Sequence, residues 1–241
     1  MTTRICMWSG PRTISTALMY SFAQRADTTV VDEPLYAHYL RVTPADTYHP
    51  GAEDVLAAMQ PDGQRVVAEV ILGEYQTPVV FFKQMTHHLV DLDLSFLDDV
   101  ANVILTRDPH DMIRSYAAVV ESPSILDTGY PQSAALLAAL RARGQEPPVI
   151  DSTLTLEDPE SVLAQLCDRL GILFDDAMLS WDAGPRPEDG VWAPHWYTSV
   201  HRSTGFGPPR LRSAPLPQSL QPLLDECLPF YRELAAVAIR P

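Results

Sequence analysis

Short, almost wholly apolar runs alternate along this chain with longer stretches in which apolar residues recur every three or four positions. Such alternation predicts an α/β fold: a three-layer arrangement with a parallel sheet flanked by helices. The first strand is read at residues 4–8 and the first helix at about 15–25. A second strand runs from Thr28 to Asp32 and stops at Asp-Glu-Pro. From Ala52 to Tyr75 the spacing is helical but broken at Pro61-Asp62-Gly63. Val79-Val80-Phe81-Phe82 and the run from Ala101 to Thr106 have the composition of strands buried on both faces. A helix follows from about Asp108 to Glu121, then a loop at 122–131 and an Ala/Leu-rich helix to about Arg143. A fifth strand is expected from Val149 to Thr155, and a helix from Pro159 to Leu170, closed by Gly171. Residues 182–218 are rich in Pro and Gly and read as a long irregular segment, usually functional or mobile in a compact domain. A last helix is expected from about Gln218 to Val237. No repeat or linker divides the chain, so residues 1–241 are expected to form a single domain.

Composition narrows the partners. Hydrophobic residues make up 46% of the 241, enough for a substantial core. Lys+Arg 17 against Asp+Glu 31 leaves a net charge of −14. Such a surface argues against nucleic acid, an anionic membrane or a sulfated polymer as the main partner. It leaves room for one local cationic pocket. No segment approaches a membrane span, and the N-terminus lacks the pattern of a secretion signal. Cys6, Cys167 and Cys227 have no ligand-like spacing and read as core residues of a cytoplasmic protein. His38 and His49 show no metal spacing, and no metal is expected. The sequence sets no oligomeric state. Lys83 is the only lysine in an otherwise arginine-based chain.

In an open parallel sheet, ligands bind beyond the carboxyl ends of the strands. That rule selects residues 9–16, Asp32-Glu33, residues 83–88 and Arg107-Asp108. The first group is a tight turn between a strand and a helix. It holds Gly10, Pro11, Arg12, Thr13, Ile14, Ser15 and Thr16. Helix N-termini present unpaired N–H groups and partial positive charge, so this turn reads as a phosphate or sulfate site. One hydroxyl would suffice as a helix cap; three with an arginine suit an anion better. The loop is not of the ATP type, which needs a second glycine followed by lysine. Arg107 stands where a nucleotide triphosphatase strand would end in a metal-binding aspartate. It is read as the grip on a second anion, with Ser115 two turns into the next helix. The plain alternative is a salt bridge to Asp108 or Asp111.

Taken together, Ser9-Gly10-Pro11-Arg12-Thr13-Ile14-Ser15-Thr16-Ala17-Leu18 resembles the 5′-phosphosulfate loop of sulfotransferases. Leu105-Thr106-Arg107-Asp108-Pro109-His110-Asp111-Met112-Ile113-Arg114-Ser115-Tyr116 resembles their 3′-phosphate motif. Leu156-Glu157-Asp158-Pro159-Glu160 and Leu166-Cys167-Asp168-Arg169-Leu170-Gly171 are similar to the segment after the family's fifth strand. The resemblance implies a P-loop nucleotide-hydrolase-like sulfotransferase fold. It also implies the donor 3′-phosphoadenosine-5′-phosphosulfate (PAPS), with 3′-phosphoadenosine-5′-phosphate (PAP) as product and a small-molecule acceptor. Thr13, Ser15 and Thr16 would then bind the 5′ phosphosulfate, and Arg107 with Ser115 the 3′ phosphate. The cluster His201-Arg202-Ser203-Thr204-Gly205-Phe206 falls where related enzymes close over the 3′ phosphate and adenine.

Two departures bear on catalysis. Arg12 stands where many relatives have lysine, so it takes the leaving-group role, with Lys83 as second candidate. The relatives' Lys-x-His arrangement is absent; here His87 and His88 follow Lys83 by four and five residues. Glu33 sits where some related enzymes carry a glutamate base, and His87 and His88 compete with it for that role. Trp192, Trp196 and Tyr197 either wall the cleft or form a small core under the late loop. Two other readings stay open: a P-loop kinase or nucleotide hydrolase, for which Val30-Val31-Asp32-Glu33 is the best sign, and a non-catalytic nucleotide-binding protein of the same fold.

Overall fold

The apolar runs become strands because both their faces are covered. In the computed structural model, which describes residues 2–208 and 215–241, β1 is Thr3–Ser9, β2 Thr28–Asp32, β3 Val79–Met85, β4 Ala101–Thr106 and β5 Val149–Asp151. They form one all-parallel sheet in the order β2-β3-β1-β4-β5. Alternate residues of β1 serve opposite cores. Ile5 and Met7 pack with Phe81, Val103 and Leu105 beneath α1 (Ser15–Ala23) and α9 (Pro159–Arg169). Cys6 and Trp8 pack with Phe82 and Ile104 on the other face, against Leu136, Leu137 and Leu140. The helix α7 (Tyr130–Ala142) supplies that leucine stripe. Every residue of β3 is buried, as expected for a strand second from the edge with both faces covered.

β1 leads leftward through α1 to β2, whereas β3 crosses to β4 on the other side of β1. The crevice between the carboxyl ends of β1 and β4 is therefore the topological switch point of the sheet.

Several elements depart from the sequence reading, each for a local reason. β5 stops at Asp151 rather than Thr155, because the Asp151 carboxylate accepts from the N–H groups of Thr153 and Leu154 and caps α8 (Ser152–Glu157). The segment read as one broken helix from Ala52 is α3 (Ala52–Ala58), α4 (Gly63–Val66) and a π turn at Val67–Ile71. Asp62 restarts the chain by capping Gln64 and Arg65. The helix after β4, α5, spans Pro109–Tyr116 under the cap of Asp108. The expected loop at 122–131 holds α6 (Ile125–Thr128), opened by a capping box between Ser124 and Asp127. The last helix, α11, runs Gln221–Ala236 and starts after a 3-10 turn at Gln218–Leu220. Within the late irregular segment, α10 spans Ala193–Trp196. Residues 209–214 of that segment lie outside the described residues. No helix among the described residues is long and apolar enough to cross a membrane.

Candidate active site

A cavity of about 640 Å³ opens over the carboxyl ends of β2, β3, β1 and β4. Its volume is in the range of small-molecule sites. Of the residues read from the sequence, Pro11, Arg12, Thr13, Ile14, Ser15, Thr16, Glu33, Lys83, His87, His88, Arg107, Ser115, Ser203 and Gly205 line it. Gly10, His201, Arg202 and Thr204 do not. Gly10 faces Thr128 instead; a Cβ there would lie 2.5 Å from the Thr128 carbonyl oxygen, so only glycine fits. His201 is turned to Asp189, Nε2 to carboxylate 2.9 Å. Arg202 and Thr204 are exposed.

The loop after β1 is braced from within. The Thr13 hydroxyl donates to the Gly10 carbonyl at 3.4 Å and accepts from the Ser15 N–H at 3.3 Å. Ile14 occupies the cap position of α1 and offers no side-chain oxygen to its first turn, which keeps the helix end suited to an anion. Arg12 takes a left-handed backbone, φ 56°, costly for a residue with a side chain. Its Nε donates to Ser115 Oγ at 3.0 Å and a terminal nitrogen to the Trp196 carbonyl at 3.2 Å. Arg107 donates to the Arg12 carbonyl. Burial, and then the charge of Arg107, holds Arg12 below the ordinary arginine value. Arg12 has no ion pair among the described residues. Two guanidinium groups thus share one cavity, at the switch point, within reach of each other's field. Ser115 serves Arg12, where the sequence reading set it beside Arg107.

At the β2 and β3 ends lies a buried ionic cluster. Register places Asp32 opposite Lys83. The Lys83 ammonium donates to Asp32 at 2.9 Å, to Glu33, and to the Tyr197 hydroxyl at 2.6 Å. Tyr197 donates in turn to the second oxygen of Asp32 at 2.6 Å and accepts from the Trp192 indole at 3.0 Å. The Gly190 N–H also reaches Asp32, at 3.2 Å. Lys83 is 2% exposed. Burial works against its charge, but Asp32 and Glu33 outweigh that and hold it above the ordinary lysine value. Burial raises Glu33 above the usual carboxylate range; Lys83 opposes the rise and Asp32 adds to it. Glu33, like Arg12, has a left-handed backbone, φ 39°.

His87 and His88 line the same cavity but are poor proton acceptors. Burial pushes His87 down to about 3, and burial with neighbouring His87 holds His88 well below the usual histidine value. Asp32, the sign of a metal-binding strand end, has both oxygens engaged by Lys83, Tyr197 and Gly190. No group of three ligands suited to a metal ion occurs among the described residues. Trp192, Trp196 and Tyr197 fill both roles considered for them: all three line the cavity, and they pack with Tyr36, Tyr39 and Leu40 in a small core of their own. Sequence reasoning missed Tyr36, His49 and Tyr116 as wall residues and Tyr197 as a partner of Lys83. Only the aromatic density near position 195 signalled any of them.

The sulfotransferase domain model matches residues 3–238. The chain belongs to the sulfotransferase domain family. Solved sulfotransferase structures share its fold. The sulfotransferase domain from the curacin biosynthetic pathway superposes with a TM-score of 0.56 at 15% identity, covering 100% of this chain and 99% of that one. The sulfotransferase domain from the Synechococcus PCC 7002 olefin synthase gives 0.59 at 16% identity over 98% and 96%. The sulfotransferase from Alicyclobacillus acidocaldarius gives 0.57 at 14% over 100% and 97%. Two curated relatives from Arabidopsis thaliana are more similar in sequence. Branched-chain-amino-acid aminotransferase-like proteins 1 and 2 are 43% and 40% identical over 228 residues, 94% of this chain. This sulfotransferase domain spans only 40% of their length.

Proposed function

We propose that this domain moves a sulfuryl group from PAPS to a hydroxyl or amine of a small-molecule acceptor. The observation that carries the reading is the pair Arg12 and Arg107 on one cavity, at the switch point, with Arg12 half-buried and without an ion pair among the described residues. A bis-phosphorylated adenosine supplies two anions to a cavity lined by these two arginines. The hydroxyls of Thr13, Ser15 and Thr16 and the start of α1 would hold the 5′ phosphosulfate. Arg107 would hold the 3′ phosphate, and Ser203 and Gly205 would cover it. PAPS, when bound, supplies the activated sulfuryl group. Arg12 faces the negative charge of the departing phosphate, a role for which fixed cations in a dry site are effective. Glu33 takes the proton of the acceptor hydroxyl at its carboxylate, a task its raised proton affinity favours and the depressed values of His87 and His88 do not. Lys83, held by Asp32 and Tyr197, fixes Glu33 and supplies a second positive charge.

The aminotransferase in the relatives' names finds no support in this chain. Transamination works through a lysine that must become neutral to form a Schiff base. The single lysine here is buried between two carboxylates that keep it charged. The kinase reading loses its main sign with Asp32 fully engaged. Incubation of the purified protein with ³⁵S-labelled PAPS and a panel of phenols, alcohols and amines tests the proposal. Labelled product is expected without added metal. Mg²⁺-dependent ATP turnover with no sulfate transfer would replace the proposal with the kinase reading.

A further inference from the structure

A short stretch of the late segment bears on both candidate catalytic cations. Trp196, the last residue of α10, gives its carbonyl oxygen to Arg12 at 3.2 Å. The next residue, Tyr197, gives its hydroxyl oxygen to Lys83 at 2.6 Å. Tyr197 is held through its own backbone: its N–H donates to the Ala193 carbonyl at 2.8 Å, and its carbonyl accepts from the His201 N–H at 2.9 Å. A phenol has one proton to donate and can accept twice. This one donates to Asp32 at 2.6 Å and accepts from Lys83 and from the Trp192 indole at 3.0 Å, so its capacity is used in full. Burial, then the charges of Asp32 and Glu33, holds the phenol well above the ordinary tyrosine value, and the proton stays on it. The Lys83 ammonium is equally occupied, with one proton each for Asp32, Glu33 and Tyr197. The two carboxylates it serves differ. Asp32 is closed by Lys83, Tyr197 and Gly190 and does not line the cavity. Glu33 lines the cavity, gives one oxygen to Lys83, and makes no other side-chain hydrogen bond among the described residues. The charged and titratable groups facing Glu33 are Asp32 beside it on β2, Lys83 on β3, Tyr197 from the late segment and Tyr36 at the start of α2 (Tyr36–Val42). His88, in the turn after β3, faces Lys83 and is neutral, because burial and then His87 hold it well below the usual histidine value.

Two carboxylates thus compete for one ammonium, and only Glu33 faces the space an acceptor would fill. We propose that Tyr197 is a positioning residue for the base: it satisfies Asp32 with its own proton and so leaves an ammonium proton of Lys83 on Glu33. The role rests on the sulfotransferase reading above and deepens it at the acceptor end of the site. Without the hydroxyl, the released Lys83 proton and the released Asp32 oxygen face the same space, and the ammonium turns to hold Asp32 with two protons. Glu33 then loses part of its pairing, and its charged form is less favoured. Tyr197 therefore acts on Glu33 through Lys83. Because Tyr197 follows Trp196, the seating of this one stretch sets both the leaving-group cation and the base.

The titration of Glu33 is followed by ¹³C NMR in protein labelled at the glutamate side-chain carboxyl carbon, its signal assigned by its loss in Glu33→Gln. In Tyr197→Phe, which keeps the ring, the midpoint is expected to rise by about one pH unit, the worth of one hydrogen bond to a charged group. Asp32→Asn removes the competitor and should lower the midpoint, and adding Tyr197→Phe to it should move the midpoint little further. Asp32→Asn also stands in if Tyr197→Phe fails to fold: an unchanged or raised midpoint there would overturn the competition and the positioning role with it. Sulfuryl transfer from PAPS to 2-naphthol, 2-phenylethanol and 2-phenylethylamine gives the second readout. In Tyr197→Phe the acid limb of kcat should move up with the midpoint and the rate recover at alkaline pH, while KM for PAPS stays within about twofold. A midpoint that does not move in folded Tyr197→Phe, or a rate lowered equally at every pH, would overturn the positioning role and leave the sulfotransferase reading standing. Wild-type protein that transfers to none of the three acceptors would overturn that reading, and the base role of Glu33 with it, whatever the midpoint does.

Discussion

Replacing Lys83 by methionine removes the one cation shared by two buried carboxylates. The wild-type side chain lies 2.9 Å from Asp32, touches Glu33, and sits 2.6 Å from the Tyr197 hydroxyl, with Lys83 and Asp32 each 2% exposed and Glu33 10%. Methionine keeps most of the volume, so the loss is electrostatic rather than a cavity. Removing one partner of such a buried pair costs about 3–5 kcal/mol, because charge is left uncompensated. For a chain of this length that amounts to a fall in Tm of roughly 6–20 °C. The sign with pH follows from Glu33. Its folded value is already raised above the ordinary 4.5, and without Lys83 it rises further. Between the ordinary and the raised value the folded variant binds more protons than the unfolded one, so its stability falls as pH rises through that window. The deficit of Lys83→Met relative to wild type should therefore be largest at pH 8 and shrink at pH 5. At the alkaline end the trend reverses and the deficit shrinks again. Lys83 is itself raised above 10.5, so wild-type stability from this group is intact below that value and lost above it, a loss the variant cannot show. Glu33→Gln added to Lys83→Met should recover part of the deficit at pH 8. Melting curves by scanning calorimetry at pH 5 and 8 decide the matter. A deficit under 2 °C, or one independent of pH, would refute the reading of this cluster as a charged triad.

Arg107→Ala should weaken PAP by about 10–150-fold, the worth of a charge-assisted hydrogen bond, and adenosine-5′-phosphate by less than about threefold; equal losses, read by calorimetry, would contradict the 3′-phosphate role. Glu33→Gln should lower turnover by about 10²–10⁴, the usual contribution of a general base, with PAP affinity nearly unchanged; a fully active variant would return the base role to His87 or His88. Gly10→Ala would set a methyl group 2.5 Å from the Thr128 carbonyl and should cost about 1–3 kcal/mol, seen as a lower Tm in thermal melts; an unchanged Tm would show that the loop yields freely.

The parallel sheet was legible because its strands are continuous apolar runs, and the site was legible wherever it follows those strands directly. Arg12, Glu33, Lys83 and Arg107 all stand at or near carboxyl ends, and all four line one cavity. From the long late segment, Ser203, Gly205 and the aromatics near position 195 were legible as residues of the cleft, but their partners were not. Tyr197 meets Asp32 and Lys83 across sequence separations of 165 and 114 residues, and no local pattern encodes such pairing. Ser115 was legible as a residue of the pocket, but its bond to Arg12, across 103 residues, was not. His201 looked like a donor for phosphate, but the chemistry of a histidine does not reveal that Asp189 lies beside it. The short β5 was misjudged although Asp151-Ser152-Thr153 is a plain helix-start signal; the β-rich residues around it outweighed the cap.

The account turns on two cationic positions seating a bis-phosphorylated nucleotide. Calorimetric titration with PAP and, separately, with adenosine-5′-phosphate, both in the presence of a chelator, measures this directly. PAP is expected to bind at least about tenfold more tightly than adenosine-5′-phosphate with no divalent ion present. Equal affinities, or binding that appears only when Mg²⁺ is restored, would contradict it.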